Sequence, residues 1–243
     1  MKFLIKRYTA ADFDVWNSAV ENIVRQQSFL FNRAYMEYHS DRFKDASLMI
    51  TDVQGKVLAL FPANVCRKDE HRVESHGGLT YGGLLMSPHL TAQLTGEVFD
   101  ALLAFYREHG FDSIVYKPIP YIYCSYPCQE DLYWLFRKNA TLLSRQISSV
   151  IDLAQPYPLS TLRKRKVKKA EKLACLRMEF GKQHLKAYWQ ILNAVLQSRH
   201  DTLPVHTLEE MDLLMQRFPR NIQLAVCVDH VNNEVLAGCL LYI

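Results

Sequence analysis

Apolar and polar positions along the chain follow two periods, and the points where the period changes mark the elements. Phe3–Lys6 is a short apolar start. Thr9 stands as a cap before Ala10–Ile23, where Phe13, Trp16, Ala19 and Val20 recur at helical spacing. A second helix is predicted over Asn32–Arg42. Ser47–Asp52 and Lys56–Asn64 read as strands joined by Val53-Gln54-Gly55, a hairpin signal. His76–Met86 (HGGLTYGGLLM) reads as a third, glycine-punctuated strand. Ala92–His109 is a long amphipathic helix stopped by Gly110. Phe111–Tyr116 is then a short strand, Asp131–Asn139 a helix and Arg145–Leu153 another strand. The turn-rich Gln155-Pro156-Tyr157-Pro158 closes the stretch and marks the boundary.

Beyond a basic helix the order restarts. Leu176–Phe180 is a strand, Gln183–Ser198 a helix, and Thr207 caps a second helix over Leu208–Phe218. Ile222–Val228 and Glu234–Ile243 form a hairpin across Asp229–Asn233. Strand, helix, helix, strand, strand is the opening order of the first half as well. Val57-Leu58-Ala59 recurs as Val235-Leu236-Ala237 at the matching place. The expected architecture is therefore α/β with a mixed sheet, in two tandem lobes. Residues 1–155 form the complete lobe; residues 156–243 hold the basic helix and the first half of a second, incomplete lobe.

Composition changes this picture little. The chain has 243 residues, 49% hydrophobic and 22% charged, which is ordinary for a globular protein with a large core. No stretch approaches the length of a membrane span, and the three apolar residues between Lys2 and Lys6 fall far short of a signal-peptide core. A cytoplasmic location is expected. The six cysteines sit in apolar segments; only Cys124 and Cys128 are close in sequence, without the further ligands that zinc needs, so buried reduced thiols are expected and no metal. Nucleophile-elbow and cysteine-protease patterns are missing.

Charge changes it more. The net charge is +4, yet Ser160–Lys172 alone carries seven basic residues against Glu171. The rest of the chain is slightly acidic, so the protein carries one basic stripe. On a helical wheel Leu162, Val167, Ala170, Leu173 and Ala174 share an arc of about 140°. Lys164, Arg165, Lys168, Lys169 and Lys172 lie outside it. Arg163 and Lys166 fall within it, and either snorkel to its rim or hold a bound anion.

Five segments together, Tyr35–Phe43 (YMEYHSDRF), His76–Gly83 (HGGLTYGG), Tyr116–Tyr123 (YKPIPYIY), Arg163–Lys172 (RKRKVKKAEK) and Arg199–His206 (RHDTLPVH), make the chain resemble the FemAB-type aminoacyltransferases. These belong to the wider GNAT-like acyl-CoA N-acyltransferase superfamily. The resemblance implies transfer of an acyl or aminoacyl group to an amine on a cell-wall or surface-polysaccharide precursor. It implies acetyl-CoA, another acyl-CoA or an aminoacyl-tRNA as donor. In that fold the coenzyme's pyrophosphate rests on amides of a glycine-containing loop between the strand after the hairpin and the next helix. Here the first lobe reaches that place at Met86–Thr91 (MSPHLT), without glycines, and in the second lobe the place falls beyond Ile243. The alternative is an inactive binding module, needing no cofactor, for a phosphorylated sugar or similar anion; nucleic-acid binding through the stripe ranks below both.

Several residues are candidates for ligand contact, each with a plainer reading beside it. Gly82 and Gly83 would let a ligand pass close to the backbone beside Tyr81; a β-bulge with Tyr81 in the core is the other reading. Lys117, among Tyr116, Tyr121, Tyr123 and Tyr126, stands at a strand's C-terminal end, where ligands bind in α/β sheets, or is an exposed loop lysine. Arg199 and His206 are either acid–base machinery or a helix end and the next helix start. The catalytic residues are not defined. The apolar last strand, Val235–Ile243, is expected to pair with a second copy, giving a homodimer.

Overall fold

The computed structural model describes residues 3–243. It is a mixed α/β chain that divides into two compact units, one ending at Leu142 and the other running from Leu143 to Ile243. Among the described residues no helix is long and apolar enough to cross a membrane.

In the first unit β1 (Phe3–Arg7) pairs antiparallel with β2 (Leu48–Asp52), β2 with β3 (Val57–Phe61), and β3 with the two-residue β6 (Leu85–Met86). Between β1 and β2 come α1 (Phe13–Asn22) and the single turn α2 (Arg33–Met36), which continues as a tighter turn to His39. β3 is buried throughout and β2 over its first three residues, as central strands covered on both faces should be. α3 (Ala92–Glu108) lays Val98, Phe99, Leu102 and Tyr106 into the same core as Leu48, Ile50, Ala59 and Phe61. The Tyr106 hydroxyl is kept satisfied there by donating to the Ala46 carbonyl at 2.7 Å.

A second, three-stranded sheet corrects the predicted strand over Lys56–Asn64. Pro62 interrupts it, and β4 (Asn64–Cys66) pairs instead with β5 (Asp69–Glu74), which pairs parallel with β7 (Ser113–Val115). α4 (Glu130–Arg137) completes the unit. Arg33 ties its helical turns to β2. The guanidinium is buried at 2% exposure, donates to Glu37 at 3.0 Å and Asp45 at 2.5 Å, and lies over the Tyr8 ring at 3.6 Å.

The second unit opens with an exposed stretch that has no strand, so the predicted strand Arg145–Leu153 does not form. It then carries α5 (Thr161–Glu171). Its core is built by β8 (Leu176–Phe180), α6 (Leu185–His200), α7 (Leu208–Arg217), β9 (Ile222–Asp229) and β10 (Glu234–Tyr242), in sheet order β10-β9-β8.

The two units repeat one plan in detail. Phe3 faces Asp52 across the first sheet, and Leu176 faces Asp229 across the second. Counting equally far on from Phe3 and from Leu176 arrives at two buried tryptophans, Trp16 and Trp189. Asp52 and Asp229 each accept, at 2.9 Å, the amide two residues on, opening the hairpin with the same turn. In the first hairpin the register passes from Val57 to Ala59, leaving Leu58 out; in the second it passes from Val235 to Ala237, leaving Leu236 out. The recurring Val-Leu-Ala triplet is thus the same β-bulge in both units.

Candidate ligand site

The glycine-rich segment of the first unit is not the continuous strand its sequence suggests. His76 has φ of 55° and Gly83 of 84°, and neither continues an extended chain. Ser75 to Gly83 instead loops outward and is clamped from two sides. The Gly77 amide donates to Asn64 Oδ1 at 2.6 Å. On the other side the Lys117 amide donates to Ser75 Oγ at 2.6 Å, and the Gly82 amide to the Lys117 carbonyl at 2.9 Å. The loop is not a β-bulge, and Tyr81 is half-buried, its ring 6.2 Å from that of buried Phe31.

That clamp brings four of the predicted residues together. Tyr81 stacks on Tyr123 with centroids 5.2 Å apart and planes at 28°. Tyr123 is half exposed, as are Tyr121 and Tyr126 close by in sequence. Lys117, in the loop that Gly82 bridges at Pro118, turns its ammonium onto the Leu79 carbonyl. Burial holds its pKa below the usual lysine range. Gly83 lies one residue behind, against the Tyr116 ring.

Beneath the loop lies a polar cluster that sequence reasoning missed. The rings of Tyr38, His39 and His76 form a column with centroid spacings of 4.3 and 5.3 Å, and both histidines are buried. His39 Nε2 is 3.3 Å from the Gly78 carbonyl, which fixes it as the donor. His76 Nδ1 is buried without a hydrogen-bond partner. Burial first, then the charges of His39, Arg33 and Lys117, lower the His76 pKa to about 3. Such an imidazole is neutral at pH 7 and too weak a base to take a proton from an amine. The only sequence signal was a histidine inside YMEYHSDRF and another opening HGGLTYGG.

The other predicted residues lie in the second unit. Arg199 is exposed in the last turn of α6; His206 precedes Thr207, which caps α7 in a reciprocal pair with Glu210. This is the helix-end arrangement. Arg163 and Lys166 stand on α5, where every residue is exposed. No face of that helix is buried, so neither cation points into a core, and neither needs a partner there.

Where a coenzyme pyrophosphate would rest in the first unit, Ser87 Oγ is buried without a partner, but three residues offer no free amide. Ser87 spends its amide on the Leu58 carbonyl, Pro88 has none, and Leu90 turns its own back to Ser87. The gap between β6 and β7 is filled as well. Tyr116 Oη accepts from the Leu84 amide at 2.7 Å and donates to Asp131 Oδ2 at 2.8 Å. Burial raises the Asp131 carboxyl above its ordinary range and pushes the Tyr116 hydroxyl well up. Tyr116→Phe would strand a buried amide and half of a buried carboxyl, and is expected to lower stability by about 3 kcal/mol in urea unfolding. A loss below about 1 kcal/mol would mean that water replaces the hydroxyl.

Fold and repeat together define two lobes on one mixed α/β plan, and a solved structure shares that fold. The likeness is of FemAB type: the crystal structure of FemX superposes with a TM-score of 0.56 at 10% identity, over 92% of this chain and 57% of that one. The chain thus spans little more than half the length of FemX. A GCN5-related N-acetyltransferase from Sphaerobacter thermophilus is similar at a TM-score of 0.41 and 11% identity, over 98% of this chain and 70% of that one. Glucosamine-6-phosphate N-acetyltransferase from Arabidopsis thaliana has a TM-score of 0.36 at 15% identity, over 63% of this chain and 100% of that one. No protein-family model matches the chain, and no curated protein does.

Proposed function

We propose that the first unit is the acceptor-holding lobe of an N-acyl or N-aminoacyl transfer to an amine on a cell-wall or surface-polysaccharide precursor. The observation that carries this is the stack of half-buried Tyr81 on half-exposed Tyr123, on a loop clamped to Lys117, in a lobe whose own inter-strand gap is filled by Tyr116. Stacked tyrosines offer an apolar face and hydroxyls at its edge, which suits a sugar ring. Lys117 supplies a cation for a phosphate. The chemistry asks for little more from this lobe than position: the acceptor nitrogen attacks the acyl carbonyl, the ester or thioester bond breaks, the donor departs as its alcohol or thiol, and the proton lost by the amine balances the one the leaving group takes up. The donor is acetyl-CoA, another acyl-CoA or an aminoacyl-tRNA.

Calorimetry with UDP-N-acetylglucosamine and glucosamine 1-phosphate tests the reading. Heat is expected with at least one, and Tyr81→Ala or Tyr123→Ala should weaken it by about tenfold, the upper worth of one aromatic contact. No heat with any phosphorylated sugar would sink it. The second reading, a binding module without transfer, draws on the same filled gap. Sugar binding together with silence toward acetyl-CoA and aminoacyl-tRNA would favour it.

A further inference from the structure

The least protein-like surface of the molecule is the start of the second unit. From Leu143 to Ala174 every residue is exposed, and α5 buries nothing. Two kinds of residue share that surface. Lys164, Lys168 and Lys172 form one row along α5 and Arg165 and Lys169 a second, with about 6 Å between successive charges in a row. In the same stretch of chain, large apolar side chains stand in water: Ile147 at 98% exposure, Leu153 and Tyr157 at 88%, and Leu162 at 64%. The stretch holds eight basic residues against Asp152 and Glu171.

We infer that this segment docks on an anionic lipid surface, with the basic rows against the headgroups and the apolar residues at the acyl boundary. A polyanion without an apolar phase, such as RNA, would satisfy the rows and leave Ile147, Leu153 and Leu162 in water. A bilayer interface satisfies both. It also accounts for Arg163 and Lys166, which sit among the apolar positions of α5. Their long stems lie along an apolar boundary while their charges reach back to phosphate.

The full chain is to be sedimented with vesicles of phosphatidylcholine alone and with about one third phosphatidylglycerol. Binding to the anionic vesicles is expected to be tighter by at least about tenfold, each cation near the surface contributing about fivefold. Lys164→Glu/Lys168→Glu/Lys172→Glu should abolish the difference. Ile147→Ser/Leu153→Ser/Leu162→Ser should also weaken vesicle binding at least about tenfold, since each removes buried apolar area, and should leave any affinity for single-stranded RNA unchanged. All six positions are exposed, so both variants should keep the parent's circular dichroism and melting point. Equal partition onto the two vesicles, an apolar variant that binds as the parent does, or RNA binding without vesicle binding would each overturn the inference. The readout uses neither sugar nor acyl donor, so it stands or falls apart from the acceptor site.

Discussion

Between pH 7 and pH 4 the first unit is expected to lose about 3 kcal/mol of stability through His76 alone. The unfolded imidazole takes a proton near pH 6.5, while the folded one, at about 3, does not. Throughout that window the unfolded state binds more protons, so stability falls as pH falls and is fully present only above about 6.5. The groups facing the ring push the same way: His39, itself lowered by burial, and the cations Arg33 and Lys117. Asp131, whose pKa is raised by burial, works in the opposite direction, so the effect must be read as a difference. His76→Asn supplies it, because asparagine accepts the left-handed backbone at this position and does not titrate. Urea unfolding at pH 7, 5 and 4 should show the parent falling more steeply than the variant. Parallel lines would mean that His76 is protonated in the folded protein.

The second large effect belongs to Gly82. A Cβ there would run into the Ser75 carbonyl oxygen, a backbone atom held in place by Ser75 N–H on the Val115 carbonyl. Gly82 cannot retreat, since its amide is bound to the Lys117 carbonyl on the other side. Gly82→Ala is expected to cost about 3 kcal/mol or more, at the upper end for overpacking. Gly110→Ala is the comparison: its φ is 83° but nothing lies near the added carbon, so only the backbone cost of about 1 kcal/mol applies. Equal losses in the two variants, measured by thermal unfolding, would show that the loop is not clamped.

Much of the fold was legible because its elements bury one face. α1, α3 and α7, and the strands β2, β3 and β9, announce themselves by period, and their order gives the two-lobe plan. The failures have separate causes. β5 (DEHRVE) buries only Val73, so no alternation marks it as a strand. Arg145–Leu153 alternates well but pairs with nothing, and without a ladder the pattern has no effect. His76–Met86 looks apolar enough for a strand, yet a positive φ at its first residue turns it aside. At the site, Tyr81, Gly82, Lys117 and Tyr123 could be named in advance, because aromatic and glycine clusters are visible in one dimension. The His39–His76 pair could not. The residues are far apart in sequence, and only the fold stacks them.

The omitted leucine in each hairpin gives the two lobes a common origin of coordinates. With Leu58 laid on Leu236, corresponding places follow by counting: Ala59 meets Ala237, and Leu60 meets Gly238. At Gly238 the ring of Tyr188 occupies the space a side chain would take. The strand has surrendered bulk there and the helix has supplied it. One blueprint has thus been filled twice with different bricks, and positions can be carried from one lobe to the other by geometry where the letters no longer agree.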